Sequence, residues 1–140
     1  MIKLVSVAIG ITLFVLSFAC ISQPKEDLKV NTALPQNVFE RNSRQQWVAE
    51  SKNAYVIRDK NPVAPVHLLI IPKKQVPTLL DATPELLGEM LELAKTVAMR
   101  EGIAKDGFRL VVNTNSMGGQ HVFQLHIHLL AGRQMQWPPG

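Results

Sequence analysis

Two imidazoles that could do chemistry lie near the end of the chain, in the stretch Gln124-Leu125-His126-Ile127-His128-Leu129-Leu130. Successive side chains of a β-strand point to opposite faces, so Gln124, His126 and His128 would share one face, about 7 Å apart at each step. A neutral imidazole is a good nucleophile, and a protonated neighbour can neutralise phosphate charge. The spacing predicts a polar row that opens to a cleft. Two ordinary histidines on a solvated strand face would give the same pattern.

A glycine-rich turn directly precedes this row. Gly118, Gly119 and Gln120 place adaptable backbone beside the histidines. Free backbone N–H groups in such a turn can cradle an anion without using side chains. The turn and the histidines together predict a phosphate-binding site.

The elements that must position this site can be read upstream of it. Strand-like runs flank the turn-prone segment 51–53, a further apolar strand runs from His67 to Ile71, and another is predicted from Phe108 to Asn113. A long helix with apolar residues at three- and four-residue steps separates these last two strands. Thr83 is its predicted N-cap, and Gly102 ends it. The order predicts an α+β domain with a mainly antiparallel sheet covered by one helix.

The first 20 residues are predicted to direct export. Lys3 is followed by an uncharged apolar run that reaches small residues at Ser17, Ala19 and Cys20, which is typical of a secretory signal. Cleavage after Ala19, lipidation of Cys20 and retention as an uncleaved anchor are three possible outcomes, and each sends the remainder outward. We expect a periplasmic or membrane-attached lipoprotein location in a bacterial host. Residues 21–46 form a polar linker in this interpretation, and residues 47–140 form the folded domain.

Charge and cysteine content exclude two classes of protein. The net charge is +4 and the basic residues are scattered, so no basic stripe indicates nucleic-acid binding. Cys20 is the only cysteine, so packing must hold the domain without an internal disulfide.

The last 22 residues carry a resemblance to a known family. Residues 119–140, GQHVFQLHIHLLAGRQMQWPPG, resemble the end of a histidine triad (HIT) protein of the Hint branch. The resemblance continues upstream through APVH at 64–67, IPKK at 71–74 and VVN at 111–113. It covers residues 47–140, and several separate segments match in order and spacing.

This resemblance implies a fold and an activity. The fold would have about five antiparallel strands and one long helix, and would form a homodimer in which two sheets join. The activity would be hydrolysis of a nucleoside 5'-phosphoramidate or adenylate, with a purine nucleotide bound at its phosphate by the histidine strand. The reaction would pass through a nucleotidyl-histidine and release a nucleoside monophosphate, and it would need no metal or cofactor.

The resemblance also implies roles for single residues. His126 would be the nucleophile, and His128 would donate to the phosphate. The positions that match nucleotide-contacting residues are Ile57, Asp59, His67, Asn113, Gly119, Gln120 and Trp137. Among them Asp59 would bind ribose, His67 would support the nucleophile from behind, and Trp137 would reach toward the partner's site. The base pocket would use Ile57 with Leu34, Val38 and Phe39. Simpler roles for three of these residues are a strand-ending turn at Asn113, a loop cap at Asp59 and a core histidine at His67.

Two positions depart from the family pattern. Gln124 stands where the first motif histidine is expected, and His121 stands where serine or threonine is usual. Glutamine forms hydrogen bonds but does not shuttle a proton at neutral pH. If the first histidine protonates the leaving group, another residue must do so here. Our hypothesis is that His121 supplies this imidazole.

Two other functions fit the same residues. One is a non-catalytic, exported nucleotide-binding HIT protein, and a covalent nucleotidyl intermediate would distinguish it from an enzyme. The other is a metal site built from the chain's four histidines, His67, His121, His126 and His128, since imidazole is a common zinc ligand. Metal analysis of the protein, purified without a histidine tag, tests it.

Overall fold

A computed structural model describes Phe39 and residues 44–139. The predicted export signal at 1–20, including Cys20, lies outside the described residues. So do most of the predicted linker and the base-pocket candidates Leu34 and Val38. Within the described part of the chain, no helix combines the length and the apolar character needed to cross a bilayer.

Five strands form one sheet. They are β1 (Trp47–Glu50), β2 (Ala54–Arg58), β3 (Val66–Pro72), β4 (Phe108–Val111) and β5 (Ile127–Ala131). The order is β1-β2-β3-β5-β4, and every neighbouring pair is antiparallel. One helix, α1 (Pro84–Arg100), connects β3 to β4. The predicted α+β fold with a five-stranded antiparallel sheet and one long helix is therefore confirmed.

The predicted strand ends need two corrections. β4 ends at Val111 and not at Asn113, and β5 begins at Ile127, so that Gln124 and His126 precede the strand. The backbone just before β5 forms hydrogen bonds outside the sheet. The N–H of Leu125 donates to the Val76 carbonyl at 2.6 Å. His126 therefore sits where the chain enters β5, and only His128 lies within the strand.

Local signals fix the limits of α1. The Thr83 hydroxyl accepts the N–H of Leu86 at 3.3 Å, and Pro84 occupies the first helical position. Gly102 has φ +73°, a left-handed conformation that favours glycine after a helix. These ends match the sequence-based prediction.

The two faces of the sheet have different coverings. Alternate strand residues pack against α1, and this core contains Val56, Leu68, Ile70, Met90, Ala94, Val97, Leu125, Ile127 and Leu129. The opposite face carries a smaller buried group, Tyr55, Ile57, Leu69 and Ile71, with Phe39 and Trp47 packed against it. Because side chains alternate, Leu69 of β3 and its neighbour His128 of β5 lie on this second face.

A carboxylate ties the helix to the first hairpin. Glu89 accepts the Ser51 hydroxyl and the Asn53 backbone N–H, each at 2.6 Å, and the Asn53 side-chain amide at 2.8 Å. These hydrogen bonds, the Ser51 hydroxyl first, lower the pKa of Glu89 from 4.5 to about 2. The contact fixes the β1–β2 turn against α1.

Candidate active site

His126 is held in one tautomer by the backbone. Its Nδ1 lies 2.7 Å from the Gln124 carbonyl oxygen. A carbonyl oxygen can only accept, so Nδ1 carries the proton and Nε2 of the neutral ring carries a lone pair. The side chain is only 9% exposed, yet it lines a cavity. The free lone pair of the neutral His126 ring is thus on Nε2.

His128 is held in the complementary tautomer. The N–H of Val63 donates to His67 Nδ1 at 3.2 Å, so the proton of neutral His67 lies on Nε2. That Nε2 is 2.9 Å from His128 Nδ1, which must accept. The proton of His128 therefore lies on its own Nε2. The His126 and His128 rings meet edge to face with centroids 4.8 Å apart, so a lone pair and an N–H donor are presented side by side.

Burial favours the neutral forms of His67 and His128. The pKa of His128 falls from 6.5 to about 4, first because the ring is buried and then because His126 and His67 disfavour a further charge. Burial also lowers the pKa of His67, against the opposing effect of Asp59. The structure therefore makes His128 a neutral donor near pH 7, where the sequence suggested a protonated imidazole beside the nucleophile.

Asp59 supports both the loop and the histidines. Its Oδ1 accepts the N–H of Asn61 at 2.8 Å, which is the loop cap considered from sequence. Its Oδ2 lies 3.3 Å from His67 Nε2. Oxygen and nitrogen atoms of Asp59, His67 and His128 all lie within 4.8 Å of one another, so these three could hold a metal ion. This set differs from the four histidines considered from sequence, and a metal there would displace the bond between His67 and His128.

The cavity beside the histidines has a volume of about 370 Å³. Its lining includes Phe39, Ile57, Asp59, Lys60, Leu69, Asn113, Gly119, His121, His126 and His128. The lining thus combines apolar side chains with imidazoles and the Asn113 amide. The Phe39 ring lies 5.6 Å from the His126 ring, centroid to centroid. Leu69 and Lys60 were not predicted as site residues. Leu69 could have been found from its two-residue step after His67, whereas no sequence pattern marked Lys60.

Two N–H groups of the glycine-rich turn, which its sequence suggested would be free, are bonded within the turn. The N–H of Gly119 donates to the Ser116 carbonyl at 2.9 Å, and that of Gln120 donates to the Asn115 carbonyl at 3.0 Å. These two amides close the turn itself, so the prediction that they are free is wrong, whereas anion binding at the turn as a whole stays a prediction. Gly118 has a different role, since a Cβ there would collide with the Thr114 carbonyl oxygen.

The neighbouring residues Gln120 and His121 have different surroundings in the structure. Gln120 is 3% exposed, and its amide donates to the carbonyls of Pro77 and Val122 at 2.7 and 3.1 Å. It anchors the loop and is not among the cavity-lining residues. His121 is exposed and does line the cavity, as our hypothesis required. Whether His121 replaces the missing imidazole in the reaction stays a prediction.

Two further predicted residues lie away from the cavity wall. Gln124 is 1% exposed, and its amide points into the protein toward the segment after β3. Trp137 is 85% exposed in the single chain. The neighbouring tail is attached to β4 where Arg109 donates to the Gln136 carbonyl at 2.6 Å. The predicted role of Trp137 at a partner's site stays a prediction.

The fold and site define a class of protein: a five-stranded antiparallel sheet with one helix, whose open face carries histidines that present a lone pair and an N–H donor to a cavity. The HIT domain model matches residues 40–135. The chain belongs to the HIT family, in its Hint-like branch.

Relatives support this placement. A HIT-like protein of Synechococcus elongatus is 49% identical over 96 residues, covering 66% of this chain and 83% of the relative. The purine nucleoside phosphoramidase of Escherichia coli is 49% identical over 81 residues, covering 56% and 68%. The crystal structure of a HIT family hydrolase from Legionella pneumophila superposes with a TM-score of 0.65 at 52% identity, covering 68% of this chain and 88% of that one. These relatives support nucleotide hydrolase activity in general.

Proposed function

We propose that this protein hydrolyses nucleoside 5'-phosphoramidates or adenylates through a nucleotidyl-His126 intermediate and releases a nucleoside monophosphate. The observation that carries the proposal is the pair of opposite tautomers at His126 and His128 beside one cavity. The similarity to a purine nucleoside phosphoramidase supports the substrate class.

The cavity suits a nucleotide in size and polarity. Small-molecule sites commonly have volumes of about 300–1,000 Å³ with mostly apolar walls and a few polar groups that orient the ligand. The base would contact Phe39, Ile57 and Leu69, and the phosphate would lie against the two imidazoles. Asp59 would bind ribose through the part of its carboxylate that its loop and His67 leave open.

The first step forms the intermediate. The Nε2 lone pair of His126 attacks the α-phosphorus, and the bond from phosphorus to the leaving nitrogen breaks with its electron pair on that nitrogen. A protonated His121 gives the nitrogen a proton, because an amine departs poorly without one. His128 Nε2–H donates to a phosphoryl oxygen. His126 becomes positively charged, and its Nδ1–H stays bound to the Gln124 carbonyl oxygen.

The second step restores the enzyme. Water attacks the same phosphorus, and its proton passes to the now neutral His121. The bond from phosphorus to Nε2 breaks, and its electron pair returns to Nε2. The net change consumes one water and yields an amine and a nucleoside monophosphate, with both histidines back in their starting states.

Intact-mass spectrometry after mixing with an adenosine 5'-phosphoramidate tests the proposal. We expect a mass increase of one nucleotidyl group in the wild type and none in His126→Ala. A His121→Ala variant should slow single-turnover hydrolysis by roughly 10²-fold, the lower end for losing a general acid. Wild-type speed in that variant would exclude His121 as the acid. Persistence of the adduct in His126→Ala would contradict the assigned nucleophile.

A non-catalytic nucleotide-binding role is the alternative, because Gln124 cannot transfer a proton. It predicts nucleotide binding by calorimetry without any adduct. Inactivity with the phosphoramidate but adduct formation with an acyl adenylate would instead retain the chemistry and change the preferred leaving group.

Assembly and location complete the proposal. β4 is an edge strand, and an unpaired edge readily pairs with another strand. We infer a homodimer joined at β4, in which the exposed Trp137 contacts the partner. Sedimentation at micromolar concentration tests this. Export, with attachment to a membrane through a lipidated Cys20, is the location we propose. The intact mass of the protein purified from its host reports cleavage or lipidation.

A further inference from the structure

Gln124 holds two segments of the chain together. Its amide nitrogen donates to the carbonyls of Pro72 and Lys74 at 3.2 and 3.1 Å, and its amide oxygen accepts the N–H of Val76 at 3.3 Å. All the partners are backbone groups at the end of β3 and in the segment that follows it. Every hydrogen-bonding group of this buried side chain is thus used, and none of them reaches the cavity.

The backbone of the same residue controls the nucleophile. The carbonyl oxygen of Gln124 accepts Nδ1–H of His126 at 2.7 Å, the shorter of the two hydrogen bonds that hold the active-site rings. A carbonyl oriented by a fixed chain keeps this bond, whereas one that rotates away would allow the proton to move to Nε2. Nε2 would then lose the lone pair that attacks phosphorus.

We propose that Gln124 is a positioning residue, whose buried amide fixes the backbone carbonyl that selects the reactive tautomer of His126. This inference rests on the proposed function, because it takes His126 as the nucleophile. It gives the glutamine an anchoring role at this motif position and no role in proton transfer. The substitution is therefore compatible with catalysis.

The same loop offers a matched control. Gln120 is also a buried glutamine whose amide bonds three backbone groups, the carbonyls of Pro77 and Val122 and the N–H of Asn115. The hydrogen bond to His126 Nδ1 is made by the Gln124 carbonyl and not by that of Gln120. Gln124→Met and Gln120→Met therefore remove the same number of hydrogen bonds at a similar depth, but only the first removes side-chain anchors from the residue whose carbonyl holds His126. The Leu125 N–H bond to the Val76 carbonyl stays in both variants.

The experiment records the tautomer of His126 by ¹⁵N correlation spectra of the histidine rings, together with single-turnover nucleotidylation. We expect wild type and Gln120→Met to keep the proton on Nδ1. Gln124→Met should show a mixture of tautomers and nucleotidylation slower by about tenfold, equivalent to losing one hydrogen bond to a developing charge. Gln124→His, which restores one donor and one acceptor, should recover most of the rate.

A second variant covers loss of folding. Gln124→Glu keeps the acceptor for Val76 and loses only donors, so it decides the case if Gln124→Met does not fold. Wild-type tautomer and rate in whichever Gln124 variant is folded would overturn the proposal. An equal tautomer shift in Gln120→Met would also overturn it, because general loosening would then suffice. The ring spectra do not need turnover, so an inactive wild type would refute the proposed function and leave the tautomer result to decide this inference.

Discussion

Acid should destabilise this protein through His128. The pKa of this ring is lowered from 6.5 to about 4 in the folded protein, so the unfolded chain binds a proton first as the pH falls. The folded state then loses stability progressively below pH ~6.5, and the loss is complete below the folded pKa. Burial of the neutral imidazole therefore does not lower the folding stability at neutral pH, but it does so in acid.

The magnitude follows from the size of the pKa change. Each tenfold change in proton affinity corresponds to about 1.4 kcal/mol, so the change at His128 sets an upper limit of about 3 kcal/mol. The ring is only half-buried, and solvent screening reduces this to about 1–2 kcal/mol. His67, whose pKa is also lowered by burial, acts in the same direction.

Urea unfolding between pH 7.5 and 4.5 measures the effect, with the folded-state pKa read from the ring protons by NMR. Wild type should lose about 1–2 kcal/mol more than His128→Asn over this range, because asparagine does not titrate. Parallel pH profiles for the two proteins, or a His128 pKa at or above 6.5, would refute the assignment of a neutral, desolvated ring.

Three other perturbations test separate parts of the structure. Glu89→Gln should destabilise the protein more than Glu92→Gln, which alters an exposed pair. Because the pKa of Glu89 is lowered to about 2, its contribution to folding stability is present above pH ~4.5 and is lost as the pH falls toward 2. Thermal unfolding of the two variants and the wild type across this pH range measures the difference. Gly118→Ala should lower the free energy of unfolding by about 1–3 kcal/mol, because its Cβ would collide with a backbone carbonyl. Gly88→Ala, which faces open space within α1, should raise the free energy of unfolding by about 0.5–1 kcal/mol. Equal effects of the two variants would exclude the clash. Lys60 lines the cavity without an ion pair to another described residue, so calorimetry should show nucleotide binding to Lys60→Met weakened about threefold at low salt, with a smaller effect at high salt.

Residues that act on near neighbours could be assigned from sequence. Thr83 caps α1 through an N–H three residues ahead, and Gly102 ends it by its own left-handed conformation. The two-residue step of a strand put Ile127 and Leu129 in the core and His128 on the other face. The strand step failed at Gln124, which precedes β5 and bonds to backbone groups at the end of β3 and just beyond it. The N–H groups expected to be free at Gly119 and Gln120 are bonded within the turn.

By itself the sequence determined the family, the order of the elements and two imidazoles spaced two residues apart after a glycine-rich turn, because these depend on residue type and short spacing. The tertiary structure alone decided which nitrogen of each ring bears a proton. The tautomer of His128 is set by its bond to His67, 61 positions away in the chain, whose own tautomer is set by the N–H of Val63. The Gln124 amide bonds to the end of β3, 52 positions away. Hydrogen bonds of this kind depend on folded distance and on orientation, neither of which a local pattern of residues contains.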